Sequence, residues 1–135
     1  MEINLNKGEN RMNKKEWELE DDEEVFEYKG FKCEVTRHPA LGSLAGYVFI
    51  PKGHRCFGKD YDDFDLCDIE CHGGLTYSKT QDEFTKIGFD CAHYTDYVPY
   101  IPFHFGDEIY RNMTYVKKEC MKIVDQLIEE KNRNG

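Results

Sequence analysis

Two segments carry the side chains most able to bind, orient or react. They are His72-Gly73-Gly74-Leu75-Thr76-Tyr77 and Gly88-Phe89-Asp90-Cys91-Ala92-His93. Histidine exchanges a proton near neutral pH or ligates a metal, and aspartate and threonine supply hydrogen-bonding oxygens. Glycine lets a ligand or another piece of chain approach the backbone closely. Two chemistries fit this mixture. The first is recognition of a small nucleotide-like ligand, with Tyr47, Tyr77 and Phe89 as stacking surfaces. In it, His72, Thr76, Asp90 and His93 read polar edges, while Arg37 and the amides of Gly73 and Gly74 meet phosphate. The second is hydrolysis of a phosphoester, with His54, Asp62, His72, Asp90 and His93 as metal ligands or as acid and base.

Spacing narrows the choice. There is no Cys-x-x-Cys pair and no His-Glu-x-x-His, so no zinc signature is present. The acidic stretch holding Asp60, Asp62, Asp63, Asp65 and Asp68 lacks the central glycine of an EF-hand and reads as a turn with side-chain-to-backbone bonds. Gly73-Gly74 is followed by neither Lys-Ser/Thr nor a helix, which excludes a phosphate-binding P-loop and a dinucleotide fingerprint. Its plainer use is a tight turn or bulge. On a strand, Cys91 and His93 share a face, but Ile87 and Phe89 share it too, so Cys91 reads as a buried, inert thiol. Ser43 and Ser78 have no nucleophile-elbow context. No cofactor motif is present, and none is expected.

Stacking and hydrogen bonding need a scaffold. A chain of 135 residues is long enough for one domain with a sizeable core. Residues 1–28 hold ten acidic and four basic side chains and so account for −6 of the formal −9. Residues 1–24 therefore read as an acidic, flexible segment, with Trp17 as its one anchor. Residues 25–135 form a single α+β domain. No basic stripe runs along it, which argues against duplex nucleic acid. No apolar run approaches the roughly 20 residues of a membrane span, and the N-terminus lacks the apolar core of a signal peptide. A cytoplasmic protein with free thiols is expected. Cys33 and Cys120 read as small core hydrophobes.

The elements follow from periodicity. Glu24 to Val35 alternates on both sides of Lys29-Gly30 and reads as a hairpin. Gly46 to Ile50 is a buried strand. Further strands are expected from Leu66 to His72, at Leu75 to Tyr77 and from Phe84 to Cys91, with a turn at Ser78 to Glu83. Tyr94 to Phe105, rich in aromatics and proline, reads as an ordered loop. Asn112 is a good N-cap, and Val116, Cys120, Ile123, Val124, Leu127 and Ile128 recur at helical spacing. One amphipathic helix at about 113–130 is expected to cover one antiparallel sheet. Strand parity places Asp90 and His93 on opposite faces, so one regular strand cannot aim both into one pocket.

The blocks Arg37-His38-Pro39, Gly46-Tyr47-Val48, Pro51-x-Gly53-His54, Gly58-Lys59-Asp60-Tyr61, His72-Gly73-Gly74-Leu75-Thr76 and Gly88-Phe89-Asp90-Cys91-Ala92-His93 occur together here. Tyr110-Arg111-Asn112 and Tyr115-Val116-x-x-Glu119-Cys120 extend them. Over about residues 28–130 this pattern resembles a family of small uncharacterised proteins of phages, prophages and bacteria. The resemblance implies, by gene context alone, a phage counter-defence protein acting in the host cytoplasm. It would sequester a nucleotide-derived immune signal, as a homo-oligomer. A protein–protein inhibitor using the aromatic loop 94–105 is a third reading.

Overall fold

A computed structural model describes residues 14–66 and 68–133. Residues 1–13, the larger part of the segment expected to be flexible, lie outside it, as does Cys67. The elements are α1 (Glu16–Leu19), β1 (Glu23–Tyr28), β2 (Phe31–Arg37), β3 (Leu44–Pro51), β4 (Tyr77–Gln81), β5 (Phe84–Asp90) and α2 (Met113–Arg133). The strands form one antiparallel sheet in the order β1-β2-β3-β5-β4. Helix α2 packs on one face of it, so the expected α+β architecture is the one observed.

The hairpin between β1 and β2 turns on two residues of positive φ, Lys29 (49°) and Gly30 (86°). That is the geometry a two-residue turn needs to match the twist of its strands. Strand β3 alternates strictly: Leu44, Gly46, Val48 and Ile50 are buried, while Ala45, Tyr47 and Phe49 are half-exposed on the other face. The buried set meets Val116, Cys120, Ile123, Val124 and Leu127 of α2, all of which are fully excluded from water. Burying each of these valine, leucine and isoleucine side chains stabilises the fold by about 1.5–3 kcal/mol.

The helix begins where its capping residue says it should. The side chain of Asn112 accepts the Tyr115 N–H at 2.8 Å, and Glu20 accepts the Met113 N–H at 2.8 Å. Two otherwise orphaned donors are thereby satisfied. Glu20 belongs to the acidic segment, and the described part of that segment is tied to the domain. Trp17 stacks on Tyr97 with ring centroids 5.2 Å apart and meets Tyr110 edge-on at 5.2 Å.

Three expected elements differ; of the strand expected at Leu75 to Tyr77, only Tyr77 is strand, where it opens β4. The strand expected from Leu66 to His72 does not form among its described residues, which run through turns and irregular backbone. The expected alternation set Leu66, Asp68, Glu70 and His72 against Cys67, Ile69 and Cys71, but the carbonyl of Leu66 is taken by the Ile69 N–H at 3.1 Å, which bends the chain. The stretch expected to be a turn, from Ser78, is mostly strand β4, and the reversal is confined to Asp82-Glu83, where Asp82 has a φ of 52°. The polar residues of β4 disguised it, because an edge strand facing water needs no apolar face.

Candidate functional site

One face of the sheet is left open by the helix, and it carries aromatic and charged side chains. Tyr47 lies across Gly88 of β5, where an added Cβ would come within 2.4 Å of the tyrosine ring. A glycine there lets the ring lie flat on the sheet. Tyr77 of β4 meets Tyr47 edge-on at 5.4 Å and keeps 38% of its surface exposed. Lys86 of β5 sits 4.3 Å from the Tyr47 ring and pairs with Glu34 at 2.9 Å. Lys32 lies 4.5 Å from the ring of Phe49.

Toward the Asp90 end of this face is a cleft of about 480 Å³, bordered by His38, Tyr47, Thr76, Tyr77 and Asp90 among others. Thr76 donates its hydroxyl to Asp90 at 3.4 Å. His38 accepts the amides of Ala40 and Leu41 on Nδ1, each at 3.1 Å. In a neutral ring that leaves Nε2 as its donor. A second hollow of about 550 Å³ adjoins it through Tyr77 and is bordered by Phe49, Lys79, Phe84 and Lys86.

Behind Asp90 a buried cluster is centred on Asp96, whose side chain is fully enclosed. His72 approaches it through Nε2, 2.9 Å from Oδ1 and 3.0 Å from Oδ2. His93 approaches through its backbone N–H at 3.0 Å and through Nδ1 at 3.1 Å, both to Oδ2. Arg111 donates from Nε to Oδ1 at 2.9 Å. Burial works against the Asp96 charge. The donors on His72, Arg111 and His93 outweigh it and hold the carboxyl down at about 2. On its other nitrogen, His72 meets the Tyr115 hydroxyl at 2.8 Å, and its backbone N–H donates to Glu119 at 2.7 Å.

His93 rests on Gly73. A Cβ there would fall 2.3 Å from His93 Cε1, and Gly73 has a φ of 70°. The Gly74 amide is taken by the Cys71 carbonyl at 2.9 Å. These glycines therefore shape a turn and a bed for an imidazole, not a phosphate cradle. The parity conflict is resolved by the end of β5 at Asp90. The chain turns through Ala92, whose N–H is held by Asp90 at 3.1 Å, and His93 Nε2 returns to 3.8 Å from Asp90.

Other anticipated residues stand apart. Arg37 is buried and uses all five of its N–H groups, on Asp22, Gly42, Tyr110, Glu20 and Asp21. None is left for a phosphate. Phe89 is only 1% exposed and packs toward Cys120, so it is core and offers no stacking face. His54 is 7% exposed; one ring nitrogen accepts the Cys56 amide and the other reaches the Leu127 carbonyl at 3.0 Å. It ties a loop to the helix. Asp62 lies on an exposed turn and does not join the cluster of His72, His93 and Asp96. Burial drives the Cys91 thiol far up, which removes it as a nucleophile. In the loop 94–105, Tyr94, Phe103 and Phe105 are 85%, 65% and 72% exposed.

Asp96, Arg111 and Tyr115 were missed by reading the sequence. The signal for Asp96 was the spacing from His93: three residues, closed by a turn from the Asp96 N–H to the His93 carbonyl at 2.8 Å. Nothing local marks Arg111, just ahead of α2, or Tyr115, in its first turn. No protein-family model, curated protein or solved structure matches this chain. No helix among the described residues is long and apolar enough to cross a membrane.

Proposed function

We propose that this protein captures a small nucleotide-like ligand on the open face of its sheet and releases it chemically unchanged. The observation that carries this is the cleft of about 480 Å³ beside Tyr77. Pockets for small ligands commonly span about 300–1,000 Å³ and combine apolar walls with a few placed polar groups. Here Tyr77 and Tyr47 supply ring surface, and Asp90, Thr76 and His38 supply hydrogen-bonding atoms. Lys79 and Lys86 border the adjoining hollow and replace Arg37 as candidates for phosphate. The resemblance to phage proteins directs the search to nucleotide-derived immune signals, and so to a counter-defence role.

The test is retention. The purified chain is incubated with AMP, ADP-ribose and cyclic di- and trinucleotides in turn, desalted, then heated to release what it holds. One class is expected to be retained and recovered intact. Removing a stacking ring typically costs about 1–3 kcal/mol per base, so Tyr77→Ala is expected to weaken that binding roughly tenfold or more. Retention of none of these probes, or undiminished binding by Tyr77→Ala, would overturn the proposal. Recovery of a hydrolysed product would replace capture by hydrolysis.

A further inference from the structure

We propose that His72, His93 and Asp96 form a binding site for one divalent transition-metal ion, held by His72 Nε2, His93 Nδ1 and Asp96 Oδ2. The three donor atoms lie within 4.8 Å of one another. The two ring nitrogens converge on the same carboxylate oxygen, at 3.0 and 3.1 Å. Ligands bound to zinc at about 2.0–2.1 Å in a tetrahedron stand about 3.3 Å apart. These two edges of the site, from the carboxylate oxygen to each ring nitrogen, are thus within about 0.3 Å of the required separation. Imidazole and carboxylate donors suit zinc, cobalt and nickel, and three protein ligands leave a fourth position open.

Each ligand also has its own outer partner, the arrangement that orients metal-binding side chains. Tyr115 meets His72 Nδ1 at 2.8 Å, and Arg111 holds Asp96 Oδ1 at 2.9 Å. Asp90 stands 3.8 Å from His93 Nε2. One lone pair of Oδ2 serves the His93 amide, and the second remains for the ion. Without an ion, the hydrogens on His72 Nε2 and His93 Nδ1 face the carboxylate. On binding, each neutral ring changes tautomer. The His72 hydrogen moves to Nδ1, where the Tyr115 oxygen accepts it, and the His93 hydrogen moves to Nε2, facing Asp90. The proton count is unchanged. Gly73 has a part in this, because a Cβ there would come 2.6 Å from His93 Nε2 and push the ring away. The site stands independently of the ligand proposed above.

Cobalt(II) titration of the chelator-treated full chain reads both affinity and donor type. The expected result is one saturable site whose visible d–d spectrum lacks a thiolate charge-transfer band. His93→Gln, at a half-buried position, is expected to abolish that site while the far-UV spectrum stays native. Tyr115→Phe, which removes only a hydroxyl, is expected to weaken cobalt about 10–100-fold. Cys71→Ser is expected to bind as the wild type does. The proposal is overturned if the wild-type chain shows no saturable binding, or if the spectrum carries a thiolate band. It is equally overturned if folded His93→Gln, or Tyr115→Phe should His93→Gln not fold, binds cobalt like the wild type.

Discussion

Gly73 is the residue whose role changed most between sequence and structure. Its φ of 70° is the left-handed conformation, and the His93 ring occupies the place where a side chain would begin. A Cβ there adds two penalties. The left-handed backbone costs an L-residue about 1–2 kcal/mol, and forcing atoms into a filled site costs about 1–3 kcal/mol. Gly73→Ala is therefore expected to destabilise the protein by about 2–5 kcal/mol, read as a lowered urea midpoint at constant slope. An unchanged midpoint would show that His93 does not depend on that space. Arg37 makes the converse point. It has the chemistry of a phosphate ligand, yet its guanidinium is fully engaged and its side chain is 3% exposed. A residue's type lists what it can do, and its neighbours decide which of these remains available.

At the level of elements, the sheet–helix contact depends on small residues as much as on large ones. Gly46 of β3 faces α2, and a Cβ there would stand 2.6 Å from the Phe89 ring and 2.8 Å from the Cys120 sulfur. Gly46→Ala is expected to cost about 1–3 kcal/mol by overpacking. Adding Cys120→Ala should recover part of that loss, because the sulfur, one of the clashing atoms, is removed. Thermal or urea unfolding of both single variants and the double variant measures the coupling. Strict additivity would mean that the helix moves away and does not press on the glycine. On the other face, Gly88 does for Tyr47 what Gly46 does for Phe89. Gly46 pairs with Phe89 and Gly88 with Tyr47 at neighbouring register positions, so one ring is buried in the core and the other lies half-buried on the open face.

Asp96 joins segments distant in the chain, so its charge state bears on the whole molecule. It ties the loop at His72, the turn at His93 and Arg111, just ahead of α2. Its carboxyl sits at about 2 when folded, below the ordinary value of 3.8. A depressed carboxyl stabilises the folded state fully above its unfolded pKa and loses that contribution as pH falls through the folded one. The contribution is about 2 kcal/mol and disappears between about pH 4 and pH 2. Unfolding free energies of wild type and Asp96→Asn should thus converge across that interval. A gap that stays constant down to pH 2 would assign the stability to another group.

Much of this protein was legible in its sequence because periodicity reports which face of an element meets the core. The hairpin at Lys29-Gly30, strand β3, strand β5, the Asn112 cap and the stripe from Val116 to Leu127 all follow from local pattern. So did the pairing of one C-terminal helix with one antiparallel sheet. Local pattern failed where burial was partial: β4 hides among polar residues because it lies at an edge, and the described residues of 66–72 join no strand. The His-Gly-Gly and Phe-Asp-Cys-Ala-His segments were visible as chemistry, but their composition does not say which atoms converge. Only the tertiary structure ends β5 at Asp90 and turns His93 back beside it. It also brings Arg111 and Tyr115 to the same carboxylate and commits Arg37 to the fold. Convergence of this kind depends on contacts between residues far apart in the chain, and no local periodicity encodes it.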